Sequence, residues 1–397
     1  MKIGICGLGA FSANFIRLFK EHPLVDEIIL ADLSHDRLQA SAAEHDVKRT
    51  CNSLEELCAS DVDAVAIFVQ RQLHGPLTLQ ALRAGKHVLC AVPIASSLED
   101  VREIVRCVEE TRLIYATIET SYYYPHTIYC RDRFRQGDFG HFVYGESAYL
   151  HDMSHGHYKS FQRSGGADWK KIAGIPPMYY PTHTTSSVLS VTGARMTHVS
   201  CMGYRDRHED EIFREGKNLW DNPFSDETAL MRTSDGGMVR INEFRRVGWK
   251  NWERSVQLSM FGTSGAFEEA SDGKFWVNLS DERATDLRDL LALQTIDNYN
   301  NCSKVHRIDR LPREYKGLHN GHSGSHQFLI DDFIKAVHTH LLPPANVWEA
   351  AKYCVPGLIA HESALQEGAL LEIPHYGDAP DDWPLLDSDG ISAVDLL

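Results

Sequence analysis

A short apolar run, two glycines and a helical repeat open this chain, and they restrict its fold more than anything that follows. Ile3-Gly4-Ile5-Cys6 has the character of a buried strand, Gly7-Leu8-Gly9 comes next, and Phe11, Phe15, Leu18 and Phe19 recur at helical spacing. The order is strand, tight turn, helix. Gly7 suits the turn and Gly9 lets the backbone approach a pyrophosphate, with Ala10 and Phe11 leading into a helix whose first N–H groups face the phosphates. Ser12 stands where the third glycine of that fingerprint is usual. A second apolar run, Ile28-Ile29-Leu30-Ala31, delivers Asp32, placed for a carboxylate to accept hydrogen bonds from a ribose. Because that carboxylate would repel a 2′-phosphate and the neutral Leu33 follows it, the expected cofactor is NAD and not NADP.

Alternating helix and strand patterns continue from there. Asp36 to Ala43 is helical, Val62 to Val69 a buried strand, Pro76 to Ala84 a helix stopped by Gly85, and Lys86 to Cys90 a strand leading to Ala91-Val92-Pro93. The next helix opens with Ser96 and Glu99 at capping-box spacing, and Leu113 to Ile118 ends the series with Glu119 at its carboxyl end. Repeated βα units of this kind form a doubly wound parallel sheet, the Rossmann arrangement, whose ligands bind beyond the carboxyl ends of the strands. That rule places Glu119, His74, Val92 and Pro93 near the glycine loop.

From about Phe142 the texture changes to strand-like segments without long intervening helices: Phe142 to Leu150, Met196 to Tyr204, Thr228 to Thr233, Gly237 to Glu243 and Ser255 to Phe261. The fold class is therefore α/β, a Rossmann domain over residues 1–121 followed by an α+β domain over 122–397 with a largely antiparallel sheet. Its late helices, Gln327 to His338 and Val347 to Gln366, are able to pack back on the first domain. The segments His155 to Pro177 and Arg205 to Asp226 read as long loops, lids or mobile segments, and the acidic stretch Asp378 to Leu397 as a subunit-contact arm or a disordered tail.

Composition narrows the partners. A net charge of −15 works against nucleic acid or an anionic membrane, and nine cysteines without a C-x-x-C pair argue against a disulfide framework and a structural zinc site. With a strand beginning at residue 2 and no apolar run near ~18 residues, a cytoplasmic protein is expected.

Gly7-Leu8-Gly9, the strand ending in Gln70 with His74 beyond it, Ala81-Leu82-Arg83-Ala84-Gly85-Lys86-His87-Val88, and Phe139-Gly140 before a sheet domain resemble the Gfo/Idh/MocA oxidoreductases. Dehydrogenases of that family usually carry Glu-Lys-Pro where this chain has Ala91-Val92-Pro93, and valine moves no proton. A branch without that lysine is the NAD-dependent glycosidases of glycoside hydrolase family 109. Val92-Pro93-Ile94-Ala95, Arg135 to Gly140, Gly145 to His151 and, most specifically, Tyr180-Pro181-Thr182-His183 are similar to it. The likeness departs at Ala91, where glutamate is common, and at Thr184 to Ser187, which replace a glycine-containing stretch.

The resemblance implies a carbohydrate substrate and cleavage by transient oxidation at C3, elimination across C1–C2, water addition and re-reduction. It carries the active-site roles to Glu119, Tyr149, Tyr180 and His183. An imidazole suits the C3 hydroxyl proton, a tuned phenol the C2 proton, and Glu119 holds sugar hydroxyls or orients a partner. The plainer alternatives are a packed tyrosine at 149 and, at 180–183, a helix-entry turn capped by Thr182. His151, Arg163, Arg245 and His322 are candidate substrate contacts. Arg163, Lys170, Lys171, Arg245, Arg246 and Lys250 suit an anionic sugar group, although most such cations are solvated surface. Two histidine groups, His151/His155/His157 and His319/His322/His326, lack carboxylate or thiolate at ligand spacing, and no metal is expected. A homodimer or homotetramer is the family's habit. The competing functions are a conventional NAD-dependent sugar or cyclitol dehydrogenase and a non-catalytic NAD-binding regulator.

Overall fold

A computed structural model describes residues 1–249 and 254–386, which form two units. In unit 1 the strands β1 (Lys2–Cys6), β2 (Glu27–Ala31), β3 (Thr50–Cys51), β4 (Ala64–Ile67), β5 (His87–Ala91) and β6 (Tyr115–Ile118) form a sheet in the order β3-β2-β1-β4-β5-β6. Every pairing is parallel. The order reverses between β1 and β4, the switch point at which such sheets leave a crevice beyond their carboxyl ends. Ala64, Val65, Ala66 and Ile67 are fully buried, as a strand covered by helices on both faces requires.

Several local expectations shift by a residue or more. The helix after the glycine loop is a 3-10 turn, Ser12–Asn14, followed by a short α-helix, Ile16–Lys20. The helix Leu98–Thr111 is capped by Ser97, whose Oγ accepts from the Asp100 N–H, and not by the Ser96/Glu99 pair. Its Val101, Ile104, Val105 and Val108 are buried.

The chain is not divided by one cut near residue 121. Unit 1 comprises Met1–Pro125, Ala292–Ala351 and the described residues from Tyr376 onward; unit 2 comprises His126–Leu291 and Lys352–His375. The return to unit 1 has a physical cause in the helix His326–Thr339. Asp331 on that helix takes Arg310 at 3.1 Å, Lys335 at 2.7 Å and His22 at 3.3 Å, while Asp332 takes Arg310 at 2.7 Å and the Tyr123 hydroxyl. Buried charges are tolerable only where they meet partners, so this network ties the late segment to the first. Residues 376–386 pack there as well: Trp383 sits 6.0 Å from Trp348 and its Nε1 donates to the His340 carbonyl at 2.8 Å. The remainder of the expected tail, Asp387 to Leu397, lies outside the described residues.

Unit 2 holds β7 (Phe142–Leu150), β8 (Met196–Arg205), β9 (Phe224–Thr233), β10 (Met238–Phe244), β11 (Val256–Gly262), β12 (Gly265–Ala270), β13 (Gly273–Asn278) and β14 (Thr285–Asp286). They run in the order β14-β13-β12-β11-β7-β10-β9-β8, with Leu371–Glu372 on the β8 edge. The sheet is antiparallel except where β7 pairs in parallel with β10, Tyr149 opposite Glu243. Helix Thr182–Thr192 covers one face. It comes so close that a Cβ at Gly145 would lie 3.4 Å from Val188.

The segments expected as lids or mobile loops have structure of their own. Residues 153–173 contain the helices Tyr158–Gly165 and Trp169–Ala173, and Met153, Phe161, Ile172, Ala173 and Ile175 share a small apolar cluster with Ile212 and Phe213 of the second segment. Enough apolar surface is present in the two segments to build a satellite core, which a count of their Gly, Ser, His and Lys residues conceals.

Candidate active site

In unit 1 the residues expected to hold a dinucleotide gather at the carboxyl ends of the strands. Gly7, at φ +90, donates its N–H to the Ala31 carbonyl at 2.9 Å, and a Cβ there would lie 2.5 Å from the Phe68 carbonyl oxygen. Only glycine meets both demands. A Cβ at Gly9 would meet nothing within 4 Å, so the loop is open there. Ser12, at the relaxed third position, is fully buried and its hydroxyl donates to the Gly9 carbonyl at 2.9 Å, closing the loop with a bond that glycine lacks.

The Asp32 carboxylate accepts from the N–H groups of Leu8 and Ser34, each at 2.7 Å. It also accepts from Arg37 Nη2 at 3.1 Å, a cation that the neutral Leu33 does not announce. A helix turn starting at Ser34 brings Arg37 back to Asp32. Each carboxylate oxygen has two lone pairs, so Oδ2, which takes the Leu8 N–H, keeps capacity for a ribose hydroxyl. The open cradle and the acid after β2 fit NAD.

His74 and Pro93 join within this unit: His74 Nδ1 lies 2.7 Å from the Pro93 carbonyl and its Nε2 3.2 Å from that of Val69. Burial pushes its pKa down to about 4, so the ring is neutral and ties β4's end to β5's. Glu119 is fully buried after β6, where its Oε1 accepts from the Ser121 N–H at 2.9 Å and the Ser121 hydroxyl at 2.7 Å. His322 packs 5.6 Å from the Phe11 ring with its Nδ1 2.8 Å from His326 Nε2. It lies against the glycine loop. Ser325 precedes the following helix, His326–Thr339, and Asn320 Oδ1 accepts the Gln327 N–H of its first turn at 3.1 Å.

In unit 2 the structure brings Tyr149, Tyr180, His183, His151 and Arg245 together. His183 stands in the first turn of Thr182–Thr192, 5.3 Å from Tyr149 and 5.2 Å from Tyr180, edge-on to both rings. Pro181 precedes the helix and Thr182 does not cap it. That turn is held by Thr184, whose single hydroxyl hydrogen is shared between the Pro181 carbonyl and Glu243 Oε1 at 2.7 Å each, and by Thr185, whose hydroxyl donates to the Tyr353 carbonyl at 2.6 Å and lies 3.1 Å from that of Pro181.

Arg245 is buried, not solvated surface, with its Cζ 4.9 Å from the Tyr149 ring centroid. Burial, then the Arg245 charge, pushes His151 down to about 3, and His151 stacks on His157 at 3.8 Å. The Arg246 side chain is also covered, and it pairs with Asp210 at 2.7 Å. Arg163, Lys170 and Lys171 are exposed on the helical segment, and Lys250 lies outside the described residues. Among the described residues no group of three or more His, Cys, Asp or Glu side chains is placed to hold a metal ion.

Sequence reasoning missed Glu243. It is fully buried, accepting from Thr184 Oγ1 at 2.7 Å and Arg245 Nη2 at 2.8 Å. Burial pushes its pKa up to about 7, against the pull of Arg245, Thr184 and His183. The signal was present in β10. Val239, Ile241 and Glu243 alternate on the core face, so the strand's period carries a carboxylate into the buried register.

Residues 1–118 match the oxidoreductase family with an NAD-binding Rossmann fold, Gfo/Idh/MocA. The amino-terminal domain belongs to this family. Along 95% of its length the chain is similar to a glycosyl hydrolase family 109 protein of Streptomyces niveus, 25% identical over 77% of that protein. A second such protein, from Saccharopolyspora erythraea, is 24% identical over 95% of this chain and 83% of its own. In fold it is similar to a levoglucosan dehydrogenase solved with NADH and levoglucosan, at TM-score 0.73 and 15% identity over 94% of this chain and 100% of that one. The cofactor of this domain is NAD.

Proposed function

We propose that this protein is an NAD-dependent glycosidase that cleaves a sugar glycoside by transient oxidation at C3, elimination across C1–C2, water addition and re-reduction. The observation that carries the reading is the unit 2 cluster, one imidazole edge-on to two phenols with a buried Glu–Arg pair behind them. It stands in a chain whose strand after Gly85 ends in Ala91-Val92-Pro93, without lysine. The names of the family 109 relatives support the substrate class. When bound, NAD supplies the hydride acceptor and donor.

The chain's own groups move the protons. His183 takes the C3 hydroxyl proton, since imidazole exchanges protons near neutral pH. Tyr149 or Tyr180 removes the proton at C2, made acidic by the neighbouring ketone, and the departing C1 oxygen completes the elimination. Water then adds at C1 with a proton returned to C2, and the ketone regains hydride and proton. The sum is hydrolysis. In unit 1, Gly7, Gly9, Ala10, Phe11, Asp32, His74 and Pro93 form the nucleotide side, and Glu119 braces the end of β6. A dehydrogenase of sugars or cyclitols is the second reading, with the fold of the levoglucosan enzyme in its favour.

Incubating the protein with a panel of aryl and natural glycosides in D2O separates the two. Aglycone release with deuterium at C2 and no net NADH is the expected result. Stoichiometric NADH without cleavage would overturn the glycosidase reading in favour of the dehydrogenase. Purification without added nucleotide should also yield protein carrying NAD, because a cofactor restored in each cycle has no need to leave.

We also infer self-association through the open face of the nine-stranded sheet. Met202, Tyr204, Leu230, Met238 and Val277 are exposed on it at 63, 51, 55, 51 and 39%, and large apolar surfaces of that kind mark interaction sites. Sedimentation should give a dimer or tetramer that Leu230→Glu reduces to smaller species; a wild-type monomer at micromolar concentration would refute this.

A further inference from the structure

We propose that Glu243 and Arg245 form a positioning pair for the Tyr149–His183 cluster, in which Glu243 clamps the His183 helix turn through Thr184 and sets the net charge of the guanidinium that covers Tyr149. The geometry is specific. One carboxylate oxygen accepts from Thr184 Oγ1 at 2.7 Å, the residue next to His183, and the other accepts from Arg245 Nη2 at 2.8 Å. Arg245 Nη1 donates to the Phe244 carbonyl at 3.1 Å, which orients the guanidinium, and its Cζ stands 4.9 Å from the Tyr149 centroid. The parallel pairing of β7 with β10 sets Tyr149 and Glu243 opposite each other.

A merely structural carboxylate could satisfy either partner alone. Here one buried group reaches both the imidazole's helix and the phenol's cation. Charged and titratable neighbours come from every packed element: Arg245 directly after β10, His183 on the covering helix, Tyr149 on β7 and His151 just beyond it, and on β9 Glu227, register partner of Glu243. Glu227 is occupied elsewhere, by the Met178 N–H at 2.8 Å and His361 Nδ1 at 2.7 Å. Of the two carboxylates, the one that meets Arg245 is therefore Glu243. Burial places its pKa at about 7, so the pair carries one net positive charge below that pH and none above it. A neighbouring cation favours tyrosinate, and a neutralised one favours it less. The catalytic use of this tuning rests on the proton roles proposed above, but the tuning itself is measurable without substrate.

Tyrosinate absorbance near 295 nm, titrated in wild type and Tyr149→Phe, isolates Tyr149 among the fifteen tyrosines. The same difference is taken in Glu243→Gln and Arg245→Gln backgrounds, with melting curves to confirm folding. Glu243→Gln should move the Tyr149 step to lower pH by about one unit, since Arg245 loses its counter-charge. Arg245→Gln should move it upward. Opposite directions distinguish charge tuning from loosened packing, which shifts both alike. Coincident steps, shifts of the same sign, or no Tyr149 step below the ordinary tyrosine value of about 10 in Glu243→Gln would overturn the proposal. Should Glu243→Gln fail to fold, an Arg245→Gln step that does not rise overturns it alone. Loss of glycoside cleavage with the titration intact would count against the functional reading and leave the pair in place.

Discussion

A His183→Ala protein should bind NAD as the parent does and lose roughly 10²–10⁴-fold in turnover, the usual contribution of a positioned general acid–base group. Alanine is the residue best suited to a helix, and the hydroxyls of Thr184 and Thr185 hold the first turn of Thr182–Thr192. The backbone should therefore stay where it is while the proton acceptor disappears. Calorimetric titration with NAD and single-turnover formation of NADH at 340 nm, using a glycoside that the panel shows to be cleaved, separate the two quantities. Hydride transfer at the parental rate would remove His183 from the C3 step and leave Tyr149 and Tyr180 as the remaining candidates in unit 2.

Asp331→Ala should lower stability by about 3–5 kcal/mol at neutral pH, the cost of stranding buried charges whose partner is removed. Asp331 is fully buried and serves Arg310, Lys335 and His22 at once, and the Lys335 side chain is buried as well. Burial pulls the Asp331 pKa upward, but His22, Arg310 and Lys335 outweigh it and hold the group below the ordinary carboxylate range. A depressed folded pKa contributes stability that is complete above the unfolded value of about 3.9 and is lost as pH falls below it. The deficit of Asp331→Ala should accordingly narrow in strong acid. Guanidinium unfolding at pH 7 and below pH 3.5 checks both points, and a neutral-pH loss under 1 kcal/mol would show that the network carries little of unit 1.

Much of unit 1 was legible because its determinants are local. Gly7 needs a left-handed turn, the β1 and β4 segments are unbroken apolar runs, and each βα unit is punctuated by its own glycine, proline or cap. Five strand-like segments of unit 2 were found as well, yet β9 begins at Phe224, inside what composition marked as loop. Composition also misjudged the two insertions, since Phe161, Ile172, Ile212 and Phe213 assemble their core only after distant segments meet. Arg37 illustrates the limit at short range: nothing adjacent to Asp32 is basic, and it takes one turn of helix to bring the guanidinium to 3.1 Å.

Local sequence suffices for the dinucleotide fold, its acid at Asp32, the valine where a lysine is usual, and the Tyr180–His183 string, because each depends on residues within one strand, turn or helix. It takes the folded chain to set Tyr149 beside His183, to bury Arg245 over the Tyr149 ring, to join Arg245 to Thr184 through Glu243, and to return residues 292–351 to unit 1. Those outcomes depend on strand register and on which charges can be buried together. A parallel β7–β10 pairing and a shared carboxylate are properties of segments far apart in the chain, and no local preference encodes either.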